Sequence, residues 1–262
     1  MNWAPARRAG LTLVVVAFLA GPSAATLWVS TPSGTDIQQR VETLTDGYGV
    51  VLLDEDEIPP MLVKAIVATE DERFYSHHGI DSLGKVRSLL YDIANLCLCQ
   101  GGSTITEQLV KDVYLNGSDR GFNKVVDVIL ALKVEGVLSK QRIMADYLSE
   151  IATGFGRRGM SEAACDYFNA PLDGLTLGQY ALLAGVAQAP SAYDPTVNAE
   201  LARQRRAQVL ASMLSERYIT QAEADAANAE PVLVPETHPR TCAPREPRQS
   251  VTWRRSRGWW SP

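Results

Sequence analysis

The sequence predicts a mostly α-helical fold. Three observations lead there: apolar residues recur at helical spacing through most of the chain, glycine and proline punctuate those runs, and only one short stretch has strand character. The strand candidate is 48–54, where Tyr48, Val50, Val51, Leu52 and Leu53 precede Asp54. A helix opens at Pro59 and Pro60, since proline suits a first turn in which its missing N–H would have no partner anyway. Met61, Leu62, Ala65, Ile66 and Ala68 then follow the helical period. The same reading places helices at 82–96, 104–114, 122–138, 140–150, 161–168, 176–187 and 199–216. Gly79, Gly101, Gly102, Gly117, Gly154, Gly156, Gly159, Pro171 and Pro190 fall between many of them. One domain over 47–230 results, of ordinary single-domain length. Residues 31–46 read as a polar linker. Residues 231–262, rich in proline and arginine and carrying Trp253, Trp259 and Trp260 without period, read as a disordered or peripheral tail.

With 46% hydrophobic and 21% charged residues among 262, the chain is not disordered as a whole. Its net charge of -5 excludes a general attraction to nucleic acid, so an anionic ligand has to meet a local basic cluster. Near the start, Arg7 and Arg8 precede apolar runs at 11–20 and 24–29. Read as one segment, these have about the 20 residues that cross a bilayer as a helix, with the arginines on the inner side. We read residues 1–30 as a single-pass membrane anchor. A signal peptide cleaved after Ser23, Ala24 and Ala25 is the alternative, favoured by Gly21 and Pro22. Both put the remainder outside the cytoplasm. Export allows disulfides among Cys97, Cys99, Cys165 and Cys242, and all three pairings stay open. Cys97 and Cys99 lack the spacer and nearby histidine of a zinc site, so packing or an incidental thiol is the expectation.

Three segments carry candidate chemistry. In 68–81, Glu70, Asp71 and Glu72 end a helix and lead into Phe74, His77, His78, Gly79 and Asp81. Carboxylates at a helix C-terminus oppose its dipole, so they either sit on a charged surface or have a task. In 101–112, Gly101, Gly102, Ser103 and Thr104 precede a helix holding Thr106, Gln108 and Lys111. Thr104 and Glu107 have capping-box spacing, while a glycine-rich helix start also offers N–H groups to an anion, with Lys111 as a counter-charge. In 122–135, Asp127 interrupts a helix that is apolar on almost every side. A buried lone carboxylate costs several kcal/mol (about) unless it is paired or protonated, so it needs a partner, for which Lys124 is the candidate, or a function.

Together the segments resemble, in order and spacing, the glycosyltransferase family 51 domain of class A penicillin-binding proteins and monofunctional peptidoglycan transglycosylases. The first follows the family's E-D-x-x-F-x-x-H-x-G-[IV]-D motif through Glu70, Asp71, Phe74, His77, Gly79 and Asp81. The second follows G-G-S-T-[IL]-T-Q-Q-L-V-K-N except at Glu107 and Asp112. The third corresponds to R-K-x-x-E and A-L-x-L-E-x-x-x-S-K through Asn123, Lys124, Asp127, Ala131, Leu132, Glu135, Ser139 and Lys140. The resemblance covers about 59–216. It implies a lysozyme-like helical fold, anchored in the cytoplasmic membrane, that polymerises glycan from lipid II outside the cell. Glu70 would be the general base on the acceptor 4-hydroxyl, and Asp127 would assist at the donor side. Lys111 and Lys124 would hold the undecaprenyl pyrophosphate leaving group, and Asp71, Phe74, His77, Ser103, Thr104, Thr106, Gln108 and Glu135 complete the implied substrate-binding set. No cofactor is required, and a divalent cation, Mg or Mn, is left open. Lipid II, the growing glycan, the membrane and other cell-wall synthesis proteins are the implied partners.

The chain departs from the pattern at several places. Asp127 replaces glutamate, which withdraws the carboxylate by about an ångström, a shift that can cost on the order of a hundredfold in rate. Asn123 replaces arginine and loses a fork-shaped phosphate contact, for which Arg120 is the substitute. Glu107 and Asp112 add negative charge near the diphosphate, and Ser149 stands in place of asparagine. A weakly active or inactive relative that binds lipid II or a cell-wall partner is therefore the second reading. A lysozyme-like hydrolase is the third, opposed by 101–106, since a muramidase has no diphosphate to bind. A transpeptidase domain does not fit beside the predicted one, so a monofunctional protein is expected.

Overall fold

The computed structural model describes residues 25–95, 102–118, 120–154 and 156–233. The helices that carry most of these residues include α1 (Ile37–Asp46), α2 (Pro60–Glu70), α3 (Ser82–Asn95), α4 (Ile105–Leu115), α5 (Phe122–Glu135), α6 (Lys140–Glu150), α7 (Met160–Phe168), α8 (Leu177–Gln188), α9 (Ala199–Ser215) and α10 (Gln221–Ala229). Between α6 and α7 lies a small antiparallel hairpin, β1 (Ala152–Gly154) against β2 (Arg157–Arg158).

Helix α8 is the centre of one half. It is buried from Tyr180 to Ala187 on every side, as expected of a helix with no polar face, and packs against α2 and α9. Thr176 and Gln179 close its N-terminus with a capping box. Arg206 of α9 is also buried, because its guanidinium donates to the carbonyls of Asn228, Glu230 and Pro231 at 2.9, 2.8 and 3.2 Å and so ties down the end of α10. In the other half α4 packs against α5 and α6, with α1 laid across α4 and α6.

The predicted helices are present with ends shifted by a few residues, and three sequence readings change. The linker 31–46 contains α1, whose Ile37, Val41 and Thr45 form a buried stripe at four-residue spacing. Polar residues around that stripe hid it. Residues 50–54 are extended without being a strand, since α6 satisfies the backbone in place of a ladder: Leu53 N–H donates to Ser149 Oγ (2.9 Å) and Arg142 donates to the Leu53 carbonyl (3.2 Å). Cys165 is disulfide-bonded, which replaces the packing reading, while Cys97, Cys99 and Cys242 lie outside the described residues.

Most of the anchor read over 1–30, and the tail from 234, also lie outside the described residues. Among the described residues no helix is long and apolar enough to cross a membrane. Residues 25–30 are helical and end against α5, where Lys133 Nζ donates to the carbonyls of Trp28 (2.6 Å) and Thr31 (2.7 Å) and lies 5.0 Å from the Trp28 ring.

Candidate active site

Glu70 is the last residue of α2, and Asp71 follows in a non-helical conformation that turns the chain away. The Asp71 carboxylate then performs a structural task. Both of its oxygens lie 3.0 Å from His77 Nε2, and Oδ2 accepts the Ile105 N–H at 3.1 Å. The end of α2 is thereby fixed to the start of α4, through hydrogen bonds to a charged group worth about 1.5–3 kcal/mol each. Thr104 makes the second link. Its hydroxyl donates to the Gly79 carbonyl (2.7 Å) and accepts the Glu107 N–H (3.1 Å), while Glu107 Oε2 accepts the Thr104 N–H (2.9 Å). The capping box expected from the sequence is thus formed.

These contacts alter the anion-binding expectation. Two first-turn N–H groups of α4, those of Ile105 and Glu107, are occupied by Asp71 and Thr104. Fewer N–H groups are therefore left for an anion, and side chains share its recognition.

A cavity of about 480 Å³ opens beside Glu70, lined among others by Asp71, Lys85, Ser103, Thr104 and Arg205. Only 9% of the Glu70 side chain is exposed. Its Oε2 accepts from Gln108 Nε2 at 2.9 Å, and the Gln108 amide is oriented in turn by the Tyr147 hydroxyl, which donates to Gln108 Oε1 at 3.2 Å. Oε1 has no hydrogen bond and faces the Arg205 guanidinium at 3.8 Å. Burial pushes the Glu70 carboxyl above the usual carboxylate range, opposed by the Gln108 hydrogen bond and the charges of Arg205 and Lys111. A buried carboxylate with one oxygen held, one free and a raised pKa has the properties of a general base.

Asp127 is buried on α5 and accepts from Lys124 Nζ at 2.8 Å, while Lys124 also donates to Ser103 Oγ at 2.9 Å. Desolvation raises its pKa, with Lys124 opposing. The expected partner is therefore present, yet Oδ1 has no hydrogen bond.

Four residues of the implied substrate-binding set sit behind the cavity. Phe74 and His77 are in the interior, and Thr106 Oγ1 donates to Glu135 Oε1 at 2.6 Å, the same oxygen that accepts from Lys140 Nζ at 2.6 Å. Lys140 also lies 4.3 Å from the Phe74 ring. Thr106, Glu135 and Lys140 bond one another and His77 Nε2 is held by Asp71, so these residues hold the site together. Among the described residues Lys111 makes no ion pair, and its charge acts on Glu70, Asp112 and Glu150.

The departures look different in three dimensions. Asn123 turns to Ser118 (3.2 Å), and Arg120 is exposed and is not part of the cavity wall. Asp112 faces Arg158 at 3.9 Å. Ser149 is spent on the Ala145 carbonyl and Leu53. Glu107 is fully buried, with its Oε1 2.5 Å from Lys85 Nζ and 3.6 Å from Lys124 Nζ, so its charge is masked from the cavity.

Sequence reasoning missed Lys85 and Arg205. Lys85 carried no distinctive signal. Arg205 did leave one, as one of two adjacent arginines in a helix otherwise packed by Ala202, Val209, Leu210 and Met213. Gly185 of α8 makes room for it: a Cβ there would lie 2.8 Å from Arg205 Cγ.

Residues 38–214 match the sequence model of a family described as Transglycosylase. The relatives include penicillin-binding protein 1A of Vibrio cholerae, 43% identical over 178 residues, which are 68% of this chain and 22% of that protein. Penicillin-binding protein 1A of Escherichia coli is 40% identical over 177 residues, 68% of this chain and 21% of that protein. A Cupriavidus necator protein named for transglycosylase activity is 43% identical over 178 residues, covering 67% of this chain and 76% of its own. The chain spans about a fifth of the length of the penicillin-binding proteins it matches. A solved penicillin-binding protein 1A from Haemophilus influenzae aligns at 24% identity and a TM-score of 0.43, over 70% of this chain and 18% of that one. The match begins at the second residue of α1 and ends at the penultimate residue of α9, taking in Glu70, Asp127 and every element of the cavity, and on that ground the chain belongs to the transglycosylase family.

Proposed function

We propose that this chain is a peptidoglycan glycosyltransferase that joins lipid II into β-1,4-linked glycan, inverting the donor anomeric carbon and releasing undecaprenyl pyrophosphate. The observation that carries this reading is Glu70: a desolvated carboxylate with a free oxygen, a raised pKa and a cavity that also holds a cation and a hydroxyl-bearing loop. Glu70 takes the proton of the acceptor 4-hydroxyl as that oxygen attacks the donor carbon. The bond to the diphosphate breaks in the same event, and negative charge grows on the leaving group. We assign that charge to Ser103 and the Lys124–Asp127 pair, a reading supported by the bonds of Lys124 to Ser103 (2.9 Å) and Asp127 (2.8 Å).

A donor on a polyprenyl chain requires a membrane surface. Exposed Phe122, Val125 and Leu132 of α5, Val137 beyond it, and Trp28 and Val29 at the exit of the proposed anchor support that placement. The lysozyme-like architecture and the extracytoplasmic, single-pass location belong to the same proposal. The reading needs no cofactor. A divalent cation, Mg or Mn, is compatible with it; among the described residues no group of three His, Cys, Asp or Glu side chains is placed to hold a metal.

The test supplies labelled lipid II to the wild type and to Glu70→Gln. Polymer from the wild type alone is expected. Bound but unpolymerised lipid II with both proteins would favour a binding protein that engages cell-wall partners, and shortening of preformed glycan would indicate a hydrolase.

A further inference from the structure

We infer that Lys85 is a diphosphate-binding residue of this chain, working beside Lys124 and held in place by Glu107. The inference rests on the glycosyltransferase reading above and adds a residue to its leaving-group site.

Lys85 stands on the first turn of α3, and Lys124 on the first turn of α5. Their ammonium groups converge on one oxygen of Glu107, at 2.5 and 3.6 Å. The other oxygen of Glu107 is taken by the Thr104 N–H, so the carboxylate has no free face. A ligand in the cavity meets the Lys85 ammonium, whose side chain is 29% exposed, in place of the buried acid behind it. Glu107 thus acts as a mount for a cation.

The surrounding groups leave this role open. Asn123 is turned toward Ser118, Arg120 is exposed away from the cavity wall, and the Ile105 and Glu107 N–H groups of α4 are engaged. Arg87 pairs with Glu72, and Arg73 with Asp81. Lys85 packs beside the loop that bears Ser103, with its Cγ 3.7 Å from where a Gly102 side chain would begin. Two ammonium groups and a hydroxyl on three separate elements suit a diphosphate, whose charge is spread over two phosphoryl groups.

Removing Lys85 alone strips a buried acid of its nearest cation, so the informative set is Glu107→Gln and the double variant Lys85→Met/Glu107→Gln. Glutamine can still accept the Thr104 N–H, which preserves the cap. Inorganic pyrophosphate binding is measured by calorimetry at several salt concentrations, and lipid II polymerisation is measured in parallel. Glu107→Gln keeps a neutral acceptor for the Lys85 ammonium while removing the competing charge, and is expected to bind pyrophosphate more tightly than the wild type. The double variant is expected to bind roughly tenfold more weakly than Glu107→Gln, with a shallower salt dependence and a raised KM for lipid II. Equal binding by the two variants, or no pyrophosphate binding by the wild type, overturns the role of Lys85. Polymer formed by the wild type in either of those cases leaves the glycosyltransferase reading standing, whereas Lys85-dependent pyrophosphate binding without any polymer removes that reading and keeps the anion site.

Discussion

Replacing Gly79 with alanine tests how the site is held together. Gly79 has φ +80, in the left-handed region, and lies against the backbone of α5. A Cβ at this position would come within 2.7 Å of the Ala131 carbonyl oxygen and 2.9 Å of the Leu132 nitrogen, neither of which can rotate away. The conformation costs an alanine about 1–2 kcal/mol, and forcing the loop off the helix costs about 1–3 kcal/mol more. For a domain of this size the sum of about 2–5 kcal/mol lowers Tm by roughly 4–20 °C. The same displacement pulls the Gly79 carbonyl from the Thr104 hydroxyl, now at 2.7 Å, and with it the start of α4. Polymerisation should fall further than the loss of folded protein explains. Differential scanning calorimetry and a lipid II assay at 25 °C measure the two effects. Gly49→Ala is the control, because Gly49 has φ +69 but nothing within 4 Å of its would-be Cβ, so it carries the conformational cost alone. Equal Tm losses for the two variants would refute the argument from contact with α5.

Three further outcomes follow from the same contacts. Arg205→Met removes a cation that favours the ionised form of Glu70, so the acidic limb of the kcat/KM profile should move to higher pH, with Arg205→Lys closer to wild type; superimposable profiles would remove Arg205 from the site. Asp127→Glu extends the carboxylate toward the reach of the family's glutamate and should raise the polymerisation rate by up to about a hundredfold, provided Tm is kept; a slower, equally stable variant would show that the shorter side chain is not limiting. Desolvation and the charge of Asp112 push the Glu150 carboxyl up, against the pull of Arg158, so its folded pKa lies well above the unfolded value. The folded state then binds the extra proton, and stability falls as pH rises from the unfolded pKa toward the folded one. Glu150→Gln cannot titrate, and should gain Tm relative to wild type at pH 8 compared with pH 5; an unchanged difference across that range would contradict the assignment.

Much of the site's chemistry was readable in the chain because it depends on local spacing. The Thr104 and Glu107 capping box, the buried Asp127 with Lys124 one turn before it, and the proline start of α2 each need only a few consecutive residues. The missed elements obey the same physics with a weaker imprint. Helix α1 buries a narrow stripe in a polar segment, and α10 is a short alanine-rich helix whose Thr220 and Glu223 cap was overlooked. The strand expected near residue 50 failed because extended backbone needs hydrogen-bond partners, and those turned out to be the side chains of Ser149 and Arg142.

What the sequence by itself determined is the helical class, the order of the segments, and Glu70 as the acid at the end of an apolar helix. Those follow from periodicity and motif spacing, which are properties of neighbours along the chain. Only the tertiary structure decided which polar groups face the cavity. It placed Arg205, 135 positions from Glu70 in the numbering, at 3.8 Å from its free oxygen, and it put Phe74, His77, Thr106 and Glu135 behind the wall. It also turned Glu107 from an added negative charge into the mount of Lys85. The physical reason is that burial and charge pairing are set by distances across the fold, and a carboxylate acts as a base, a tether or a counter-ion according to which partner the packing brings to it.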